Sequence, residues 1–307
     1  MDKPLVSVLM TAYNREKYIA EAIESVRAST FQNFELIVVD DGSTDRSNEI
    51  ALAYAKRDSR IRVYRNEENL TDYHNRNRAA ELAHGQYLKY LDSDDMLYPH
   101  GLEVMVDSMA KFPQAVLGLC RPDSQQGPYP IQLSPHEAYR EHFLLETGLL
   151  SYGPSFAIIR TAAFRAAGGF SGKRFVGDFE LWLELAARFP VVKMVMGLVW
   201  YRIHAGQELS VQFTTTEPVH WCYDVLTKAA SDPRGLLHAA EQRQALRRLK
   251  HLHARNIFSL ARRGYRRVAW ELYRQSSLSL LDMARGLRLP ATRVVRRHAV
   301  PQGEQQT

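Results

Sequence analysis

Tyr87-Leu88-Lys89-Tyr90-Leu91-Asp92-Ser93-Asp94-Asp95 is an apolar run that stops in three carboxylates within four residues. A near-continuous apolar run bounded by polar residues is the pattern of a strand buried on both faces. Three acids on one short, rigid edge repel one another unless positive charge meets them. A divalent cation holding a phosphate would meet them, because hard cations take oxygen ligands and complete their shells with substrate phosphates. The same residues also read as a polar turn and cap ahead of a helix near Pro99–Lys111.

Upstream, the same pattern repeats. Leu5–Met10 reads as a strand and runs into Thr11-Ala12-Tyr13-Asn14-Arg15. Ile19, Ala22, Ile23 and Val26 then recur at helical spacing. Phe34–Val39 reads as a second buried strand ending in Asp40-Asp41-Gly42-Ser43-Thr44-Asp45. Gly42 permits a tight turn there, and Ser43 or Thr44 can cap the helix that runs to about Lys56. Arg60–Arg65 alternates with Ile61 and Val63 inward, and the polar stretch Asn66–Asn75 leads into a helix around Arg76–His84. The order β-α-β-α-β-α-β predicts an α/β fold, a single Rossmann-like domain with a mostly parallel central sheet and helices on both faces. Ligands of such sheets lie beyond the carboxyl ends of the strands. Thr11–Arg15, Asp40–Asp41 and Asp92–Asp95 all fall on that edge, which independent surface turns would not need to do. No GxGxxG follows the first strand and no P-loop lysine motif occurs, which argues against a nicotinamide or flavin Rossmann enzyme and a P-loop NTPase.

Downstream, Ala115–Cys120 reads as a strand, Pro122–Pro135 as a loop and His136–Glu146 as a helix. Ser155–Arg160 reads as a strand, Gly168-Gly169-Phe170 as a turn and Ser171–Val176 as a mobile loop. Leu181, Trp182 and Leu185 mark one face of a helix that Asp178 begins, and Val191–Tyr201 reads as a single strand. Arg202-Ile203-His204-Ala205-Gly206 closes a domain spanning residues 1–212. Residues 213–298 form a basic, mainly helical extension, and 299–307 a disordered tail.

The totals bound the class. A chain of 307 residues, 45% hydrophobic and 24% charged, is an ordinary globular protein with room for one large α/β domain and an appendage. Its two cysteines, Cys120 and Cys222, make neither a disulfide framework nor a Cys-rich zinc site, so a reducing cytosol is the expected compartment. The N-terminal apolar run stops at Met10, too short for a secretory signal, and no apolar stretch approaches the roughly 20 residues that span a bilayer. The net charge of +6 hides an asymmetry. Arg234–His298 carries 16 Lys and Arg against three acids, a local +13 that leaves −7 for the rest. Such a tail suits a polyanionic neighbour. An amphipathic annex on anionic lipid at the inner face of the cell membrane is the first reading. A homo-oligomeric or domain-packing annex is the second. Nucleic acid is disfavoured, because no reader motif occurs and few aromatics interleave the basic residues.

Taken together, these motifs resemble family 2 glycosyltransferases of the GT-A fold. Thr11–Arg15, Val39–Asp45 and Tyr90–Asp95, then Asp178-Phe179-Glu180-Leu181-Trp182 and Tyr201-Arg202-Ile203-His204, occur in that family's order across Pro4–Ser210. The resemblance implies an inverting transfer of a sugar from a nucleotide-diphosphate donor, UDP by default with dTDP and GDP as alternatives. The acceptor it implies is a saccharide or lipid-linked hydroxyl in surface polysaccharide or lipopolysaccharide assembly. It assigns Thr11, Tyr13, Asn14, Arg15, Asp40, Asp41, Arg76, Asp92, Ser93 and Asp94 to the nucleotide sugar, and Asp94, Asp95 and His204 to Mg²⁺ or Mn²⁺. It makes Asp178 the general base and offers Trp182 as an acceptor platform. Many relatives carry an acid immediately before the base, where this chain has Gly177.

Plainer roles stand beside each assignment. Asp178 can be a helix cap, Asp40 and Asp41 turn acids, His204 a structural histidine, Trp182 core, and Arg15 and Arg76 solvated surface charges. A nucleotidyltransferase acting on a sugar phosphate, and an inactive nucleotide-sugar-binding module, are the competing functions.

Overall fold

Val6–Ala12 (β1), Phe34–Asp40 (β2), Ile61–Arg65 (β3) and Tyr87–Tyr90 (β4) lie parallel, with β1 in register between β2 and β4. All seven residues of β2 and all four of β4 are buried, as their apolar runs require. The computed structural model describes residues 3–120, 128–145, 148–204 and 216–288. Contacts divide the chain into two compact units, Met1–Arg202 and Ile203–Thr307.

Helices Ile19–Arg27 (α1), Ser47–Ala55 (α2) and Asp72–Glu81 (α3) connect these strands. The apolar stripe of α1, Ile19, Ala22, Ile23 and Val26, packs into one core cluster with Val6, Val8, Met10, Leu36 and Val38. Met96–Leu97 (β5), Gly101–Ala110 (α4), Leu117–Cys120 (β6), Ile131–Leu133 (β7), Pro135–Leu144 (α5), Ala157–Arg160 (β8), Thr161–Ala166 (α6), Gly177–Arg188 (α7), Val191–Met194 (β9) and Val199–Trp200 (β10) complete the first unit. The central sheet has eight strands in the order β3-β2-β1-β4-β8-β6-β9-β7. It is mainly parallel, interrupted by β8, which runs antiparallel to both β4 and β6, and edged by antiparallel β7. This is the α/β architecture that the strand-helix alternation predicts.

Four local expectations change. Val191–Tyr201 is two strands rather than one, because Gly197 turns the chain at φ 83° between β9 and β10. The stretch read as a loop to Pro135 contains β7, an edge strand whose Ile131-Gln132-Leu133 alternation is too short to stand out among prolines. Residues 122–127 of that stretch lie outside the described residues. The helix expected around Arg76 begins at Asp72, since α3 buries Tyr73, Asn75 and Arg76 and so shows no apolar period. Helix α6 was unmarked in the sequence; its six residues are too few for a periodic signal.

The split of the last strand matters for the site. Because β10 pairs antiparallel with β5, the residues just after Asp95 are bonded to those just before Arg202.

The second unit consists, among the described residues, of helices Glu217–Ala230 (α8), Ala239–Arg262 (α9), Arg266–Gln275 (α10) and Leu280–Arg288 (α11). Its core joins Val219, Ala254, Ile257, Leu260, Ala269, Leu272 and Leu278. No described helix is long and apolar enough to cross a membrane. The tail 299–307 lies outside the described residues.

Candidate functional site

The carboxyl ends of β1, β2 and β4 bring the three polar clusters to one edge. Asp41 N donates to Ala12 O at 2.8 Å, and Leu91 N donates to Leu9 O at 3.0 Å. The loops beyond β1 and β2 are stitched side by side. Asn14 N donates to Ser43 Oγ at 2.9 Å, Thr44 N donates to Asn14 Oδ1 at 2.9 Å, and Arg15 N donates to Ser47 Oγ at 2.7 Å. Asn14 takes φ 53° to do so, a left-handed conformation that Asn tolerates better than most residues. Thr11 is half-buried at the strand end, and Tyr13 is exposed beside it.

Asp40 and Asp41 are both buried. Asp40 Oδ2 accepts from Ser43 N at 3.2 Å, while its Oδ1 has no partner. Asp41 Oδ1 accepts from Asn66 Nδ2 at 2.7 Å and Leu70 N at 2.9 Å, which fixes the loop ahead of α3. These bonds are the turn-acid roles.

The acids after β4 converge. One carboxylate oxygen each from Asp92, Asp94 and Asp95 lies within 4.8 Å of the others. Asp92 Oδ1 accepts from Arg76 Nη2 at 2.7 Å, and Asp94 Oδ2 from Arg15 Nε at 3.0 Å. Ser93 between them is buried. Asp95 is 1% exposed. Its Oδ1 accepts from Arg202 N at 3.1 Å, and its buried Oδ2 has no partner. Burial first, and then repulsion by Asp92, push the Asp95 carboxyl up to about 8. An oxygen-only cluster with one buried, unpartnered carboxylate oxygen fits a hard divalent cation.

Arg76 is not a solvated surface charge. It is 7% exposed, spans Asp72 and Asp92 at 2.7 Å each, and leaves Nη1 buried without a partner. Both neighbouring acids hold its guanidinium charged.

Asp178 sits half-buried in the first turn of α7. Its Oδ1 accepts from the Tyr73 hydroxyl at 2.8 Å and from Phe179 N at 2.7 Å. Burial raises its carboxyl to about 6, against the lowering by these two donors and by Arg76. A carboxylate so tuned is ionised at neutral pH yet more basic than an exposed aspartate.

Two expectations part from the rest. Trp182 is fully buried: its Nε1 donates to Tyr152 O at 2.8 Å and its ring meets Phe170 edge-on at 6.0 Å. It is a core residue, with no face open to an acceptor, so the platform assignment is corrected. His204 falls in the second unit, which begins at Ile203, and the acid cluster in the first.

Sequence reasoning missed four contributors. Arg202 donates through its backbone to Asp95 and through Nε to Asp94 O at 2.8 Å. The hydroxyl of Ser155 accepts from Asp92 N at 3.1 Å. Lys89 is wholly buried behind the acids, its Nζ donating to Tyr90 O at 2.6 Å, and burial brings it down to about 8. Its signal was a charge within an apolar strand. Tyr73, the partner of Asp178, had none beyond lying one helical turn before Arg76.

Comparisons with known proteins point one way. The family model described as glycosyl transferase family 2 matches residues 7–168. The glycosyltransferase GlyG of Streptococcus pneumoniae is 26% identical over 236 residues, 72% of this chain and 77% of its own. A glycosyltransferase of Methanocaldococcus jannaschii is 44% identical over 105 residues, but the match spans only 36% of that relative. Among solved structures, S. aureus TarS in complex with UDP-GlcNAc superimposes with a TM-score of 0.63 at 22% identity, covering 81% of this chain and 72% of that one. A mannosyltransferase from Pyrobaculum calidifontis, in complex with GDP-Man and Mn²⁺, gives 0.63 at 17% identity over 92% and 78%.

Proposed function

We propose, from the premise that this chain belongs to glycosyl transferase family 2, that it transfers a sugar from a nucleoside-diphosphate donor to a hydroxyl with inversion. Asp178 accepts the proton of the acceptor hydroxyl as that oxygen bonds to the anomeric carbon. The bond from that carbon to the diphosphate breaks in the same displacement, and the nucleoside diphosphate leaves with the electron pair. One displacement inverts the anomeric centre and needs no protein nucleophile. General-base assistance of this kind is worth about 10²–10⁴-fold.

The observation that carries this reading is a single turn of α3. Tyr73 bonds Asp178 and Arg76 bonds Asp92, at 2.8 and 2.7 Å, so a candidate base and the acid cluster share one rigid support. Thr11, Tyr13, Asn14 and the buried Asp40 and Asp41 form the wall offered to the nucleotide. The unpartnered Nη1 of Arg76 offers a donor to phosphate. Asp94 and Asp95, with Asp92 adjacent, would hold Mg²⁺ or Mn²⁺, which supplies Lewis-acid neutralisation of the leaving diphosphate. The bound UDP-GlcNAc of TarS and the GDP-Man and Mn²⁺ of the mannosyltransferase support this class of donor and ion. UDP remains the first donor to try.

We assign the second unit to an anionic membrane surface and hence a lipid-linked saccharide as acceptor. Trp270, Leu280, Leu281 and Leu287 are exposed on helices that also carry Arg266, Arg267, Arg274 and Arg285. Apolar side chains among arginines suit the interface of an acidic bilayer.

The test is a panel of UDP-, GDP- and dTDP-sugars, read by thermal shift with and without Mn²⁺ and by nucleoside diphosphate release. Asp178→Asn is expected to lose about 10²–10⁴-fold in turnover while keeping the donor-induced shift. Unchanged turnover removes Asp178 from its role. No shift with any donor removes the function.

A further inference from the structure

We propose that Tyr73 is the positioning residue of the base Asp178, and that Gly177 is a glycine because the Tyr73 ring occupies the place of its side chain. The inference rests on the reading of Asp178 as the base. It explains why this chain lacks an acid at 177.

Two independent features of the geometry carry it. The Tyr73 hydroxyl donates to Asp178 Oδ1 at 2.8 Å from a different element, α3 against the start of α7. A Cβ on Gly177 would lie 2.9 Å from Tyr73 Cδ2, 3.0 Å from Cε2 and 3.1 Å from Cγ. Real Cβ atoms hardly ever approach that closely, and the ring has little room to yield. Tyr73 is 5% exposed and leans on Phe170 with ring centroids 5.1 Å apart. Any side chain at 177 therefore moves the ring, and the hydroxyl moves with it.

Both segments are held in place. Gly177 N donates to Lys173 O at 3.0 Å. Thr71 just ahead of α3 and Phe175 just ahead of α7 adopt φ 71° and 69°, conformations that cost non-glycine residues free energy. The two left-handed residues deliver the helix starts that meet at Asp178. Tyr73 and Arg76 project from the same face of α3, three residues apart, so the turn that aims the base also anchors Asp92.

The bond does more than hold a rotamer. A hydroxyl donating to a carboxylate favours its charged form, so Tyr73 lowers the proton affinity that burial raises. The other groups facing Asp178 are the Phe179 N–H and Arg76, which also lower it, and Asp72, which raises it. Of these, Tyr73 alone is removed by Tyr73→Phe, with the ring kept.

The experiment compares wild type, Tyr73→Phe, Gly177→Ala and the double variant in nucleoside diphosphate release across pH. Tyr73→Phe is expected to lower kcat about tenfold or more, the loss of one charge-assisted hydrogen bond. Donor KM should stay unchanged, and the acidic limb of kcat/KM should move to higher pH. Gly177→Ala should reproduce both changes. The double variant should be no worse than Tyr73→Phe, since both remove the same bond. A general loss of folding would lower the melting temperature without moving the pH limb. An unmoved limb with unchanged kcat in Tyr73→Phe overturns the proposal, as does full additivity of the two substitutions. Asp178→Asn, run beside them, separates the failures. If it keeps its turnover, the base reading falls. If it is inactive while Tyr73→Phe is normal, only the present inference falls.

Discussion

Replacing Asp95 by Asn removes one charge from the most crowded point of the acid cluster. Asp95 is 1% exposed, and its carboxyl is pushed from 3.8 to about 8. At ~1.4 kcal/mol for each tenfold change in proton affinity, ionised Asp95 costs the metal-free fold at most ~6 kcal/mol. Relaxation and water entry reduce such penalties severalfold, which leaves ~2 kcal/mol as the expected relief. The sign follows from proton binding. The folded carboxyl binds its proton more tightly than the unfolded one, so the native state holds the extra proton from about pH 4 to about pH 8. Stability therefore falls as pH rises through that window. At pH 5 little more than one unit of that window has been crossed, so Asn gains only about a quarter of the relief it gains at pH 8. At pH 8 the variant keeps an acceptor for Arg202 N and sets an amide donor among the remaining carboxylates. A unit of this size shifts its Tm by roughly 2–4 °C per kcal/mol, so Asp95→Asn should melt about 4–8 °C higher at pH 8. The assay is calorimetry of chelator-treated protein at pH 5 and pH 8, repeated with Mn²⁺. Mn²⁺ should raise the wild-type Tm at pH 8 and leave the variant nearly unmoved. A variant that melts at or below wild type at pH 8, or by the same margin at both pH values, refutes the argument.

Other consequences are as direct. Arg76→Met strips Asp72 and Asp92 of their shared buried partner, which costs about 3–5 kcal/mol; calorimetry should show a fall in Tm of about 10 °C. Trp182→Ala should cost about 3–5 kcal/mol as a core cavity, whereas an exposed platform would cost under about 0.5; the denaturation midpoint tells the two apart. The acidic limb of kcat for wild type should lie near the value of about 6 held by Asp178, with activity lost below it as the base is protonated. Trp270→Ala with Leu281→Ala should weaken sedimentation with anionic vesicles, while neutral vesicles bind neither form. Equal binding to both kinds of vesicle would leave the membrane assignment without its charge argument.

The sheet and its functional edge were legible because both are encoded over short distances. The run Phe34–Val39 closing on Asp40 and Asp41 announces a central strand and its end. The helical stripe of α1 needs only the 3.6-residue period. The acids Asp92, Asp94 and Asp95 are neighbours in sequence, so their convergence is nearly a local property. Partnerships across the chain were not legible. Tyr73 and Asp178 are 105 residues apart, and Arg202 and Asp95 are 107 apart; no spacing rule links such pairs.

Trp182 shows the limit from the other side. Its helical position was plain, but whether an aromatic faces core or cleft depends on Phe170 and Tyr152, which belong to other elements. So the sequence alone determined which residues could form an acidic edge, through periodicity and local charge. Tertiary packing decided which of those carboxylates is neutralised, which is left unpartnered and which is raised to a basic value. Those properties follow from burial and from distant partners, neither of which exists until the chain has closed.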